Sequence, residues 1–115
     1  MKPVIETNRR THERKDMQVF VQFNFHGHEK VFESVTRNLS MAGLFVEADA
    51  EILKLMDVGC SVIVMLEYQK DFFVRFTGYI VRLQASRKSS GFGLKFLDLT
   101  DDQKEVINTL MEEEE

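Results

Sequence analysis

The chain has 115 residues, a length typical of one domain, and its single cysteine excludes an intramolecular disulfide and a multi-cysteine metal site. Its net charge of −4 is unevenly distributed, because residues 98–115 carry a net −7 and residues 1–97 carry +3. These values argue against a two-domain enzyme built around a cleft and against a general binder of nucleic acid polymers.

The composition also predicts where the protein works. No apolar run reaches the roughly 18–20 residues that cross a bilayer, and residues 1–6 lack the apolar stretch of a signal peptide. One cysteine in 115 residues fits a reducing compartment. We therefore expect a cytoplasmic protein without membrane insertion.

The first part of the chain predicts an arm followed by a β-hairpin. Residues 1–16 are polar, follow no regular period and include the basic residues Arg9, Arg10, Arg14 and Lys15, so they predict a flexible basic arm. Residues 17–25 alternate apolar and polar side chains, except at Phe20, and predict a half-buried strand. Gly27 marks a turn, and residues 30–36 predict the returning strand.

The middle of the chain predicts further short strands separated by turns. The predicted strands are residues 44–46, 61–68, 72–83 and 91–97, with a helical turn at 50–56. Their aromatic residues fall mainly on alternating positions, which favours packing in a core over a platform for stacking bases. About six short strands at this spacing predict an antiparallel barrel, or closely packed sheets, over residues 17–98.

The end of the chain predicts an α-helix over residues 100–113. Thr100 and Gln103 have the spacing of a capping box, and two aspartates lie in the first turn. Apolar residues at helical spacing from Val106 to Met111 predict a stripe that closes one face or end of the barrel. The acidic run Glu112–Glu115 opposes the negative end of the helix dipole, so we expect the last turn to fray.

Two short motifs contain groups that can bind an anionic nucleotide. Arg10 and Arg14 lie four residues apart in the arm, and a guanidinium both donates paired hydrogen bonds to phosphate and stacks on a base. Asn38 offers a donor and an acceptor, Ser40 offers a hydroxyl, and Gly43 allows close approach of backbone. Taken separately, the first motif is also explained by a chance pair of surface arginines and the second by a simple turn.

Together and in this order, the two motifs resemble the PilZ domain family, and the resemblance covers most of the chain. The matching positions are Arg10, Arg14, Asn38, Ser40, Gly43, the strand at 91–96 and the closing helix. The resemblance implies an all-β dominated fold, a six-stranded antiparallel barrel with a C-terminal helix and a flexible N-terminal arm. It also implies that the arginines bind the phosphates and stack on guanine of cyclic di-GMP, and that the second motif contacts a guanine edge.

The resemblance implies a receptor without catalytic activity or cofactor, which signals through an unidentified protein effector in motility, surface attachment or exopolysaccharide control. Arg9 precedes the first motif, and as a solvated arm residue it needs no role. The family includes members that bind one nucleotide and members that bind a stacked pair. A third arginine favours the more highly charged pair, so we add Arg9 to the expected ligand-binding residues.

Two other functions stay open at this point: a PilZ-like adaptor without ligand, and a small barrel that binds single-stranded nucleic acid. Adaptors of that kind lack both motifs, and the weakly basic body argues against the second function. His26 and His28 could share a metal, but exposed turn histidines are favoured because no third ligand lies nearby in the sequence. Cys60 is interpreted as a small core residue, and residues 91–93 are too short for a phosphate-binding loop.

Overall fold

The computed structural model describes residues 14–113, which form seven strands and two helices. The strands are β1 Lys15–Asp16, β2 Phe20–Phe25, β3 Phe32–Leu39, β4 Gly43–Glu47, β5 Ser61–Glu67, β6 Phe73–Ala85 and β7 Ser90–Phe96, and the helices are α1 Ala50–Leu53 and α2 Asp101–Glu113. Within this range, neither helix is long and apolar enough to span a bilayer.

The strands form a closed barrel in which every pairing is antiparallel. Six strands follow one another in the order β3-β2-β5-β6-β7-β4, and β4 pairs with β3 to close the circle. The short strand β1 pairs with β3 as a seventh strand. The predicted six-stranded antiparallel barrel is therefore confirmed, with one extra strand that the sequence did not indicate.

The barrel interior is filled by side chains at alternating positions of the strands, as the sequence pattern predicts. Every second residue of β2 and β5 is buried, and the largest buried rings contact each other across the interior. Phe23 lies 5.1 Å from Phe92 and Phe76 lies 5.1 Å from Phe96, measured between ring centroids. Because a buried phenylalanine contributes about 1.5–3 kcal/mol, these rings supply much of the hydrophobic stabilisation.

Helix α2 packs against the barrel through the predicted apolar stripe, since Ile107 and Leu110 are buried in the same cluster as the barrel interior. The capping box is confirmed. The Thr100 N–H donates to Gln103 Oε1 at 2.8 Å, and the Gln103 N–H donates to Thr100 Oγ1 at 3.1 Å. The Gln103 amide also donates to the Arg75 carbonyl at 2.7 Å, so the first helical turn is attached to β6.

Helix α2 ends at Glu113, within the acidic run for which the sequence predicts fraying. The Lys15 ammonium donates a hydrogen bond to the Met111 carbonyl, which places a cation at the negative end of the helix dipole. The sequence could not indicate this partner, because the two residues lie at opposite ends of the chain. Helix α2 is thus joined to β6 at its start and to β1 at its end.

The end of the predicted arm differs from expectation. Residues 1–13 lie outside the described residues, but Lys15 and Asp16 form β1 and pair with Leu39 and Asn38 of β3. The arm assigned to residues 1–16 is therefore two residues too long, because its last two residues belong to the sheet.

The first predicted strand is interrupted between Met17 and Val19, where a buried threonine replaces the missing ladder bonds. The Thr36 hydroxyl donates to the Met17 carbonyl and accepts from the Val19 N–H, both at 2.9 Å. Thr36 is 0% exposed, so both hydrogen bonds are shielded from water. This hydroxyl keeps β1 in line with β2, and it thereby fixes Arg14, the residue just before β1, to the barrel.

Two further predictions are corrected by the structure. The strand predicted at 30–36 begins at Phe32 and runs on to Leu39, so Asn38 lies in a strand and not in the following turn. Cys60, predicted as a core residue, is half-buried and packs against the core from its edge.

Replacing Thr36 with valine should destabilise the protein although the side chain keeps its shape. The substitution leaves the buried Val19 N–H without a partner and removes a hydrogen bond from the partly buried Met17 carbonyl, which costs about 1–3 kcal/mol in free energy of unfolding. Urea denaturation monitored by circular dichroism measures this loss. Thr77→Val, at an exposed position of β6, is the matched control. Equal stability of the two variants would contradict the role assigned to Thr36.

Candidate functional site

A cavity of about 400 Å³ opens at the barrel surface around β4. Its lining residues are Arg14, Asn38, Ser40, Ala42, Gly43, Leu44, Phe45, Val81, Arg82, Gly93, Leu94 and Lys95. Three of these carry a positive charge, and no carboxylate is found among the described residues that line the cavity. The cavity is therefore suited to an anionic ligand.

Four lining residues form one row across neighbouring strands. Asn38 of β3 lies opposite Phe45 of β4, which lies opposite Gly93 of β7, which in turn lies opposite Arg82 of β6. Since hydrogen-bonded strands are spaced by roughly 4.8 Å, the row spans roughly 14 Å from Asn38 to Arg82. The site thus has one wall on β3, another on β6 and β7, and a floor on β4.

Phe45 forms the centre of this floor and lies outside the barrel core. Its neighbours Leu44 and Val46 belong to the core cluster, whereas Phe45 does not, although it is only 3% exposed. Two guanidinium groups cover its ring, with the Cζ of Arg37 at 5.9 Å and the Cζ of Arg82 at 5.3 Å from the ring centroid. Such cation–π contacts bury an outward-facing aromatic side chain without placing it in the core.

The two arginines on Phe45 differ in their partners. Arg37 also forms an ion pair with Glu47, with 3.1 Å between Nη2 and Oε2. Arg82 forms no ion pair with any residue in the described range and faces the cavity. Arg82 is therefore the cation on this ring that is available to a ligand.

Two glycines of β7 make room for this arrangement. A Cβ atom at Gly91 would lie 2.7 Å from Phe45 Cε2, so a side chain there would displace the ring. A Cβ atom at Gly93 would lie 3.6 Å from Arg82 Cβ and 3.8 Å from Arg82 Nε, along the path by which Arg82 reaches Phe45. The glycines at 91 and 93, which the sequence analysis found too few for a phosphate loop, thus serve the packing of the site floor.

Ser40 shapes the turn that connects β3 and β4. Its hydroxyl accepts hydrogen bonds from the N–H groups of Ala42 and Gly43, at 3.1 and 3.2 Å. Its own N–H donates to the Gly43 carbonyl at 2.9 Å. The second motif therefore forms a turn, which is one of the two explanations that its sequence allowed. The same turn places Ser40 at the cavity.

The need for glycine at position 43 comes from the barrel itself. A Cβ atom there would lie 1.9 Å from the Leu94 carbonyl oxygen, far inside contact distance. Gly43 lines the cavity, but the close approach that it permits is between β4 and β7.

Asn38 and Arg14 present polar groups at the β3 wall. Asn38 is 9% exposed, and its side-chain amide makes no hydrogen bond with the residues that the structure describes. Water reaches the atoms of this amide, so they can exchange water for a ligand that enters the cavity. Arg14 is exposed, and continuing the β1–β3 register by one residue places it opposite Ser40.

The structure thus brings together Arg14, Asn38, Ser40 and Gly43 of the six residues predicted from the sequence, while Arg9 and Arg10 lie outside the described residues. Sequence reasoning missed Phe45, Arg82 and Lys95. The placement of Arg82 at this cavity depends on a bulge between Ile80 and Arg82 that the sequence does not reveal.

The two turn histidines lie at a different place, on the β2–β3 hairpin. His26 is exposed, and the ring of His28 lies 4.6 Å from the ring of Phe25. Within residues 14–113 no group of three or more histidine, cysteine, aspartate or glutamate side chains is positioned to hold a metal.

Comparison with solved structures shows the same fold in several proteins. The Bacillus subtilis inhibitor of motility (MotI/DgrA) superposes with a TM-score of 0.74 at 15% identity, covering 90% of this chain and 49% of that chain. The PilZ domain of Escherichia coli YcgR with c-di-GMP gives 0.65 at 13% identity, covering 90% and 88%. The PilZ domain of CeSA from a cellulose-synthesizing bacterium gives 0.64 at 16% identity, covering 86% and 94%. The chain thus spans about half the length of the B. subtilis protein.

The sequence itself matches a protein-family model. No curated protein sequence matches the chain significantly. The model of the PilZ domain, however, matches residues 8–113, a range that includes both arginines of the first motif and the whole of the barrel and helix α2. With a match over nearly its entire length, the chain belongs to the PilZ domain family.

Proposed function

We propose that this chain is a receptor for cyclic di-GMP, which it binds in the cavity around β4 without catalysing a reaction. The observation that carries the proposal is the convergence of Arg14, Asn38 and Ser40 on one cavity that has three cations and no carboxylate among its described lining residues. Cyclic di-GMP combines two phosphates with two guanines, so it needs cations and base-edge partners within one site. The YcgR domain with the same fold was solved with this nucleotide.

The proposed roles follow the chemistry of each residue. Arg10 and Arg14 bind the phosphates and stack on guanine, because a guanidinium does both. The amide of Asn38 contacts a guanine edge. Ser40 lies beside the ligand and holds the turn, because its hydroxyl donates to the Gly43 carbonyl and accepts from the N–H groups of Ala42 and Gly43. Gly43 keeps β4 close to β7, so that the floor lies within reach of the base.

We further propose that binding draws the N-terminal arm onto the barrel and that a protein effector recognises the changed surface. Arg14 already lies at the cavity, fixed there by β1. A ligand that engages Arg14 together with Arg9 and Arg10 therefore brings the preceding residues toward the same surface. Such a change of order on binding is a common way to pass a signal to a partner. Motility, surface attachment and exopolysaccharide control are the processes we consider.

Replacing Arg14 with alanine should weaken cyclic di-GMP binding about tenfold to a hundredfold, because one charge-assisted hydrogen bond contributes about 1.5–3 kcal/mol. Isothermal titration calorimetry measures the affinity and the stoichiometry together. Arg75→Ala is the matched control, since it removes the same charge at an exposed position outside the cavity. If Arg14→Ala and Arg75→Ala bind equally well, the assignment of the site is wrong.

The same titration separates the alternative functions. Two nucleotides per chain support a role for Arg9 in holding a stacked pair, and one nucleotide per chain contradicts it. Titrations with GTP and with a single-stranded oligonucleotide serve as controls. A chain that binds only the oligonucleotide is a nucleic acid binder, and a chain that binds none of them is an adaptor.

Cyclic di-GMP should also protect the arm from trypsin, which cleaves after arginine and lysine. Cleavage is followed at Arg9, Arg10 and Arg14, and bound nucleotide shields these sites if they contact it. Mass spectrometry of timed digests, with and without nucleotide, follows each site separately. Cleavage after Arg87, at the tip of the β6–β7 hairpin and outside the cavity, is the internal control. Unchanged cleavage in the arm at saturating nucleotide would refute the proposed closure.

A further inference from the structure

We propose that Arg82 is a ligand-contacting residue whose guanidinium, supported by the Phe45 ring, stacks on a purine base of the bound nucleotide. This inference rests on the proposed function and assigns a second wall to the same site. Neither of the two motifs includes Arg82, which lies far from both in the sequence.

The position of Arg82 in the sheet supports this contact. Arg82 and Asn38 occupy the two ends of the row that crosses β3, β4, β7 and β6. Measured along the curved sheet, the two ends are roughly 14 Å apart by the spacing of paired strands, so the direct distance between them is shorter. A ligand with a base at each end of a phosphate ring can reach both walls, so one base at Asn38 leaves the other near Arg82.

The Phe45 ring beneath the guanidinium of Arg82 also supports this contact. Arg82 lies over Phe45 at 5.3 Å, and it reaches the ring by crossing Gly93, the one position in the row without a side chain. An arginine held in this way has lost much of its rotamer freedom before the ligand arrives, so binding costs less conformational entropy. Arg37 contacts the same ring but is paired with Glu47, which leaves Arg82 as the unpaired cation of the two within the described range.

The surroundings of Arg82 indicate which kind of chemical group fits beside it. Its neighbour in the cavity, Val81, is 47% exposed. An apolar surface next to a guanidinium suits the flat face of a base, because arginine stacks on bases and apolar side chains pack against them. A phosphate gains more at the opposite wall, where Arg14 lies beside the polar groups of Asn38 and Ser40.

Three substitutions of Arg82 distinguish stacking from charge, with calorimetry as the readout. Arg82→Ala should weaken cyclic di-GMP binding about tenfold, since stacking of one base contributes about 1–3 kcal/mol. Arg82→Lys keeps the charge but loses the planar group, so it should weaken binding nearly as much. Arg82→Trp loses the charge but keeps a flat surface, so it should retain affinity to within about threefold of wild type. Arg87→Ala, on the same hairpin, is the control.

The tryptophan variant gives a second readout because the natural chain contains no tryptophan. Fluorescence of the single indole in Arg82→Trp should be quenched on addition of cyclic di-GMP, since a stacked guanine quenches it directly. The fluorescence of Arg87→Trp, a control with its single indole outside the cavity, should not change when cyclic di-GMP is added. A residue with a merely structural role would not produce this difference.

Gly93→Val tests the support itself. The valine side chain occupies the path of Arg82 toward Phe45, so the variant should bind as weakly as Arg82→Ala, and the double variant should lose nothing further. A Cβ at this position makes only ordinary contacts, and thermal unfolding checks that the barrel is intact. Full additivity of the two losses would show that Gly93 does not act through Arg82 and would overturn this part of the proposal.

The outcomes separate the two proposals. If the wild-type chain does not bind cyclic di-GMP, the proposed function fails. If it binds but Arg82→Ala binds equally well, Arg82 makes no contact and the inference is overturned. If Arg82→Lys retains the affinity and Arg82→Trp loses it, Arg82 binds a phosphate and the stacking assignment is wrong.

Discussion

Closure of the barrel depends on the close approach of β4 and β7, and two glycines make that approach possible. A Cβ atom at Gly43 would lie 1.9 Å from the Leu94 carbonyl oxygen, and one at Gly91 would lie 2.1 Å from the Val46 carbonyl oxygen. These glycines lie at opposite ends of the same strand pairing. A glycine within a strand costs roughly 0.5–1 kcal/mol relative to alanine, but any other residue at these positions would force the strands apart.

The same pairing forms the floor of the candidate site. Because β4 is held between β3 and β7, its outward-facing residue Phe45 has neighbours from both sides, Asn38 on β3 and Gly93 on β7. The ring would be an exposed apolar patch if the cations Arg37 and Arg82 did not cover it. The strand that completes the barrel is therefore also the floor of the site. A single residue on that strand links the two walls.

The features that follow from local sequence were predicted well, and those that depend on register were not. The period of two identified the strands, and the capping box located the start of α2, because both patterns arise from neighbouring residues. Phe45 follows the same period on its outward face, yet a phenylalanine in a strand was interpreted as core. The role of Thr36 was missed because Met17 and Val19 come within hydrogen-bond distance of it only once β1 and β2 both pair with β3.

The site shows the same division. Arg14, Asn38, Ser40 and Gly43 belong to short motifs that the sequence displays, whereas Arg82 joins them only through a bulge and two strand pairings. A β-bulge shifts the face on which the following residues lie, so no count along the chain could place Arg82 at the cavity. The resemblance to a family thus predicted the residues of the wall on β3, whereas the wall on β6 was identified only from the three-dimensional structure.

The positive charge of the cavity explains why its two walls should act together. Arg14, Arg82 and Lys95 converge on one cavity, and no carboxylate in the described lining compensates them. Their mutual repulsion opposes folding, and the cation–π contact of Arg82 with Phe45 offsets only about 0.5–1 kcal/mol at an exposed site. A dianionic ligand removes this repulsion at the moment it binds. If it contacts β3 on one side and β6 on the other, as proposed, its binding energy also stabilises the strand pairings that lie between them.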